Sequence, residues 1–414
     1  MELRDANDTN HPEWKGPLAG VKVIDLTRVL AGPFATQILA DLGAEIIKVE
    51  TPHGGDETRR FPPFVGTESH YFLGLNRGKK SVVLDLKNAA AVDILRRLAA
   101  RADVLVENFR PGVMDRLGLG YAALAALNPR LVYCAISGFG MTGPLRDKPS
   151  FDIVTQALTG ALSVNGERGR PPVKLGLPLG DMVGGIFGPI GILSALHERA
   201  ATGRGRLIDI GLHDGMIGML GYLAQLAFVT GENPVPVGSS HPNIVPYGSY
   251  QAADGTIIIA ALSDAFWFKL CDAIERRDLA ADPRFMTPLG RREHRDEIDR
   301  EVAKQVSTRP LAFWQQRLGE FDIPHAPVLG VLEALSHPQT RAREMVVTAQ
   351  HATAGEIRMT GRPIKFPGSR QPPLEPSPTL GQHTFEVLAH ELGLTADALE
   401  QMRRSGAFGE APTR

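Results

Sequence analysis

Along the first third of the chain, short runs of β-branched and aliphatic residues bounded by Gly, Pro or Asn alternate with longer stretches of helical spacing. The runs at 21–26, 45–49, 81–86, 104–106 and 131–136 predict strands. Apolar residues at helical spacing predict helices at 34–42 and 89–102, the second with Val92, Leu95, Leu98 and Ala102 on one face. Strand–helix–strand alternation of this kind implies parallel pairing with helices covering the sheet. The expected class is therefore α/β, an open sheet whose ligands sit beyond the carboxyl ends of its strands.

After Gly180 the pattern changes to apolar helices at 182–199 and 214–230, separated by a strand at 206–210. Gly184, Gly185, Gly188 and Gly191 each sacrifice about 1 kcal/mol of helix propensity against alanine, which points to close packing or a ligand near the helix start. From about 232 the chain turns polar, with a hairpin at 250–262 around Asp254-Gly255 and charged helices to about 320. These features place a smaller domain at 232–325, after a flexible N-terminus at 1–17 and a large domain at 18–231. From Pro327 the chain returns to Pro-rich loops and one helix at 383–393, with no internal repeat.

The 414 residues are 43% hydrophobic and 22% charged, with a net charge of -1. That supports sizeable cores and excludes wholesale disorder. Near-neutrality argues against a partner such as nucleic acid or an anionic membrane, which needs a basic excess. Two cysteines, Cys134 and Cys271, make neither a disulfide framework nor a four-thiolate zinc site, and a cytoplasmic location is expected. The first residues are polar and mixed in charge, unlike a secretory signal, and the apolar runs near 182–196 and 216–229 fall short of a membrane span.

Several motifs fail. The run Leu73-Gly-Leu-Asn-Arg-Gly-Lys-Lys-Ser81 begins with Leu73 where a phosphate loop needs glycine, and Lys80 intervenes before its serine. There is neither a Gly-x-Ser-x-Gly elbow nor a His-Glu-x-x-His pair. No metal site is expected.

The informative stretch is Leu177-Pro-Leu-Gly-Asp-Met-Val-Gly-Gly-Ile-Phe-Gly188, which puts Asp181 directly before a glycine-rich apolar helix. By itself Asp181 reads first as an N-cap, since caps are common and lone catalytic aspartates rare, and second as a nucleophile kept ionised by the helix dipole. In the second reading the backbone N–H groups of Val183, Gly184 and Gly185 would hold a developing oxyanion. Two further stretches sit at strand ends: Arg28-Val-Leu-Ala-Gly-Pro-Phe-Ala-Thr-Gln37 and Val106-Glu-Asn-Phe-Arg-Pro-Gly-Val-Met-Asp-Arg116. The latter combines an aromatic ring with two arginines, suited to stacking on a base and pairing phosphates.

Together these segments resemble the class III CoA-transferase family, the group of formyl-CoA transferase, carnitine CoA-transferase and α-methylacyl-CoA racemase. The likeness runs from about Leu18 to Leu394. It is carried by Gly-Val-Lys-Val-Ile-Asp-Leu-Thr-Arg-Val-Leu-Ala-Gly-Pro, Ala-Glu-Ile-Ile-Lys-Val-Glu, Asn-Arg-Gly-Lys-Lys-Ser, Val-Glu-Asn-Phe-Arg-Pro-Gly, Gly-Asp-Met-Val-Gly-Gly and Thr-Gly-Arg-Gly. The resemblance implies that Asp181 is the catalytic residue. It implies coenzyme A contacts at Leu30 and Ala31, at Leu84, Asp85, Leu86 and Lys87, at Asn108, Phe109 and Arg110, at Arg116 and at Phe151. It further implies a Rossmann-like large domain built from both chain ends, with 326–414 returning to it, a smaller α+β domain and an interlocked homodimer. Coenzyme A thioester is then a substrate, with no permanently bound cofactor.

Departures narrow the expectation. Phe151 stands where the racemase branch has a catalytic histidine, which disfavours α-proton exchange. Leu30 stands where the formyl-CoA branch has glutamine, and 238–248 replaces that branch's glycine-run loop, which sets formate and oxalate aside. The resemblance is greatest to the branch that moves CoA from succinyl-CoA to dicarboxylates such as glutarate, hydroxymethylglutarate, itaconate or citramalate. Arg59, Arg60, His241 and Asn243 are weak candidates for reading the acceptor's distal carboxylate, each more readily read as a solvated or structural residue. The alternatives are an acyl-CoA racemase or isomerase and a catalytically silent CoA-binding protein.

Overall fold

A computed structural model describes residues 15–369 and 371–409. The expected flexible N-terminus therefore lies outside the described residues, apart from Lys15, Gly16 and Pro17. Two units divide the chain: 1–162 with 174–230 and 339–414, and 163–173 with 231–338. The second unit thus contains the 232–325 segment, runs on to 338 and takes in a detached strip at 163–173.

The larger unit is built on six parallel strands: β1 (Lys22–Asp25), β2 (Glu45–Glu50), β3 (Lys79–Val83), β4 (Val104–Glu107), β5 (Val132–Ser137) and β6 (Leu207–Gly211), in the order β3-β2-β1-β4-β5-β6. Val23 of β1 lies beside Ile46 of β2 and Val104 of β4, so the strand order reverses at β1. Alternate side chains feed two cores. Ile24, Ile47 and Leu105 pack under helix α2 (Ala89–Ala99), whereas Val23, Ile46 and Val104 pack under α1 (Ala31–Asp41) and α4 (Leu179–Thr202). Burial on both faces explains why these strands read as continuous apolar runs.

Both chain ends contribute. Helix α7 (Thr384–Leu392) packs on the α2 face through Val387, Leu388 and Leu392. The segment before it seals edge strand β3: Gly381 N–H donates to Ser81 Oγ, His383 N–H to Ser81 O, and Val83 N–H to Thr384 Oγ1.

Three local expectations shift. Strand β3 occupies Lys79–Val83 rather than 81–86, because Lys79 Nζ is buried against Asp25, Asn76 and the Pro33 carbonyl. Helix 214–230 is split at Gly221 (φ +52°) into α5 (Leu212–Met219) and α6 (Tyr222–Thr230). Helix α4 starts three residues earlier than 182 and runs through His197, Glu198 and Arg199 to Thr202. It is thereby long and apolar enough to cross a membrane by length and composition, yet its Ile192 and Ala195 are core residues beside the sheet.

The second unit has an antiparallel sheet of Tyr247–Ala252, Gly255–Ala260 and His325–Pro327. Its own core includes Trp267, Phe285 and Trp314.

Candidate active site

Where the strand order reverses, the loops after β1 and β4 diverge and leave a crevice at their carboxyl ends. Asn108 clasps the two: Arg28 N–H donates to its Oδ1 and its Nδ2 donates to the Arg28 carbonyl, both at 2.8 Å. Val29, next along, adopts φ +67°, a left-handed conformation strained for a β-branched residue. Its N–H donates to Asp56 Oδ1 at 3.2 Å, which helps hold it there.

Helix α4 delivers Asp181 to this crevice. The helix begins at Leu179 with Pro178 as its N-terminal flank, so Asp181 stands in the first turn and is not the cap. The cap comes from elsewhere: Asp152, at the start of α3 (Asp152–Leu158), accepts the Gly180 N–H at 2.9 Å. With Leu179 N–H donating to Leu177 O and Met182 N–H to Pro178 O, the Asp181 amide is the first-turn donor left without a partner among the described residues. The oxyanion role expected of Val183, Gly184 and Gly185 meets a geometric obstacle. These residues lie one turn inside the helix, where amides serve carbonyls four residues back. The two glycines admit neighbours instead. A Cβ at Gly184 would collide with Leu212 Cδ2, and one at Gly185 would sit 2.7 Å from Phe34 Cδ1.

Burial pushes the Asp181 carboxyl up to about 6; the Asp152 charge adds to the shift and the Lys174 charge opposes it. The carboxylate form therefore predominates only above about pH 6. Tyr71 faces the same charges: its phenol is raised first by burial and then by Asp181, Asp56 and Asp152.

A cavity of about 760 Å³ opens over Asp181. It brings together Leu30, Ala31, Asn108, Phe109, Arg110 and Phe151 of the residues expected from sequence. A second cavity, of about 260 Å³, is lined by Leu84, Asp85, Leu86 and Lys87, and the two share Arg28 and Phe109. The Arg28 guanidinium lies 5.0 Å from the Phe109 ring centroid and pairs with Glu57 at 2.6 Å. One face of Phe109 is therefore already occupied.

Other expected residues stand apart. Arg116 is exposed, at the end of the short helix Val113–Arg116, and lines neither cavity. Arg59 is committed internally: its Nε and Nη2 donate to both Glu50 oxygens at 2.7 and 2.8 Å, and it covers the Phe72 ring. Arg60 is exposed, while His241 and Asn243 belong to the second unit, where the His241 ring accepts the Asn243 and Ile244 amides.

Sequence reasoning missed Asp152, Lys174, Arg146, Lys148 and Tyr71, all of which line the larger cavity. Arg146 and Lys148 come from a polar loop after β5, the strand-end position that the open-sheet rule singles out.

Comparison with known proteins accords with this geometry. The family model described as CoA-transferase family III matches residues 18–384. An acetyl-CoA:oxalate CoA-transferase of Acetobacter aceti is 42% identical over 366 residues, covering 88% of this chain and 93% of the relative. The succinyl-CoA:glutarate CoA-transferase of Mus musculus is 34% identical, covering 96% and 92%. A crystal structure of a CAIB/BAIF family protein from Brucella suis superposes with a TM-score of 0.82 at 36% identity, covering 91% of this chain and 100% of that one.

Proposed function

The chain belongs to CoA-transferase family III and is a transferase, and from that premise we propose that it moves coenzyme A from an acyl-CoA donor, succinyl-CoA in our reading, to a dicarboxylic acid through Asp181. The observation that carries this is a partly buried carboxylate lining a cavity at the reversal point of a parallel sheet.

The Asp181 carboxylate attacks the donor thioester carbonyl. The C–S bond breaks, leaving a mixed anhydride and CoA thiolate. The thiolate attacks the aspartyl carbonyl of the anhydride, its C–O bond breaks, and the donor acid leaves as a carboxylate. An acceptor carboxylate then attacks the aspartyl thioester, which regenerates an anhydride and thiolate. The thiolate takes the acceptor's acyl group and frees Asp181. No net proton is consumed. A carboxylate suits this chemistry because an anhydride keeps the acyl group activated, where a serine ester would not. In this scheme the Asp181 amide, which has no partner among the described residues, would donate to an oxyanion formed at the same residue. Arg110, Arg146 and Lys148 supply positive charge for the phosphates of CoA.

Oxalate returns to the acceptor class, since a 42% identical relative is named for it, against the expectation drawn from Leu30 and 238–248. A panel of dicarboxylic acids, assayed with succinyl-CoA and read by chromatography of the new thioesters, tests the proposal. Formation of no new thioester with any acid would refute it.

Because the first step needs the ionised acid, kcat/KM for the donor should rise with unit slope below about pH 6 and level off above it. Asp152→Asn removes a negative neighbour and should move that inflection down. An unmoved inflection would detach the titration from Asp181.

A homodimer is part of the same proposal. Ile186 and Ile190 on α4, with Phe228 and Val229 on α6, are exposed apolar residues at 46, 51, 80 and 76%. Light scattering should give twice 44.7 kDa. Single chains in solution would contradict it.

A further inference from the structure

We propose that Lys174 receives the second carboxylate of a dicarboxylic acid while the first reacts at Asp181, and so sets the preference for diacids over monoacids; this rests on the function proposed above. Lys174 and Asp181 line one cavity. Both flank the start of α4, Lys174 on the approach and Asp181 in the first turn.

The side chain is anchored and still available. Its Nζ lies 3.3 Å from Asp152 Oδ2 and donates to the Leu175 carbonyl at 3.2 Å, while 41% of the side chain stays exposed. An ammonium carries three donors, so one remains for a ligand. The Asp152 carboxylate is only 7% exposed and is shared among several donors. Oδ1 is spent on the Gly180 amide and Oδ2 is shared with Gln156 Nε2 at 2.9 Å. Gln156 Oε1 in turn accepts the Leu175 N–H at 3.1 Å, which fixes the backbone beside Lys174. The cation is thus held before any ligand arrives, so little ordering is left to do on binding.

The surrounding charges make this lysine necessary for a dianion. Asp152 and Asp181 both present negative charge to the cavity, and a second carboxylate entering beside them is repelled. Lys174 shares the cavity with Asp181, and its charge opposes the rise that burial causes there. The rival cations are less suited. Arg28 is paired with Glu57 and stacked on Phe109, and Arg110, Arg146 and Lys148 are the cations assigned above to the phosphates of CoA.

The test compares the best diacid of the acceptor panel with the monoacid of equal chain length, glutarate with pentanoate for instance, at one fixed donor. Donor effects cancel in the ratio of their kcat/KM values. Lys174→Met should lower the diacid-to-monoacid ratio about ten-fold or more, chiefly through the diacid KM, while Lys174→Arg keeps most of it. Lys174→Gln, which retains a hydrogen-bond donor to Asp152, gives the same reading if the methionine variant melts early. A ratio unchanged in both neutral variants, or an equal loss for both acids, overturns the assignment. Wild-type protein that uses no acid would remove the proposed function and this inference with it.

Discussion

Asp181→Ala should give a folded protein whose CoA transfer falls by about 10⁴-fold or more, the scale expected when a covalent nucleophile is removed. The substitution deletes a first-turn carboxylate that accepts no hydrogen bond among the described residues, and the helix start keeps its cap from Asp152. Asp181→Asn is the sharper companion. Burial raises the folded carboxyl from 3.8 to about 6, so the charged form is disfavoured in the fold. That penalty is absent below about pH 4 and grows as pH rises towards 6. At pH 7.5 the asparagine variant should therefore be inactive yet more stable, by about 1–2 kcal/mol once partial exposure is allowed for. Urea titration of the two proteins at pH 7.5 measures it. Turnover near the wild-type rate in either variant would remove the nucleophile assignment. In the wild type, succinyl-CoA followed by hydroxylamine should mark the peptide that contains Asp181, and an unmarked peptide would count against an acyl-enzyme.

The parallel sheet was legible because strands buried on both faces show as apolar runs, as at Glu45–Glu50 and Val132–Ser137. The same logic misplaced the start of β3, where Lys79 and Lys80 look like loop residues. A buried lysine is invisible in sequence when its partner, Asp25, lies on a distant strand. At the site, the family resemblance singled out Asp181 and the segment around Phe109, which line one cavity; glycines, aromatics and strand ends alone left a cap and a loop as readings. Asp152 and Lys174 were not legible. Neither has a periodic setting, and their roles exist only because 174–180 folds back against the start of α3. Arg59 failed in the opposite direction: an exposed-looking pair of arginines hid one that is locked on Glu50.

Asp25→Ala should be the most destabilising single substitution considered, at about 3–5 kcal/mol, the range for breaking a buried ion pair from one side. Asp25 is fully buried at the end of β1. One oxygen accepts Thr27 N–H at 2.8 Å; the other accepts Thr36 Oγ1 at 2.7 Å and Lys79 Nζ at 3.0 Å. Burial alone would raise its pKa, but Lys79, Lys48 and the threonine hydroxyls outweigh that and bring it down to about 2. Without the carboxylate Lys79 stays enclosed with no charged partner, while burial already lowers its pKa to about 8. Since the folded pKa of Asp25 lies below the ordinary 3.8, the stabilisation is present above about pH 4 and is lost as pH falls through 2. In wild-type protein that loss should appear as a steep fall in urea midpoint in strong acid, and the alanine variant should lack this part of the slope. Function should suffer before the fold does. Asp25 holds Thr27, whose carbonyl receives Lys48 Nζ at 2.7 Å, and the next residues, Arg28 to Ala31, form one wall of the cavity over Asp181. Below the unfolding midpoint the variant should therefore show a raised KM for acyl-CoA. An Asp25→Ala protein within about 1 kcal/mol of wild type would show that the buried lysines find other partners, and that this network does not brace the site.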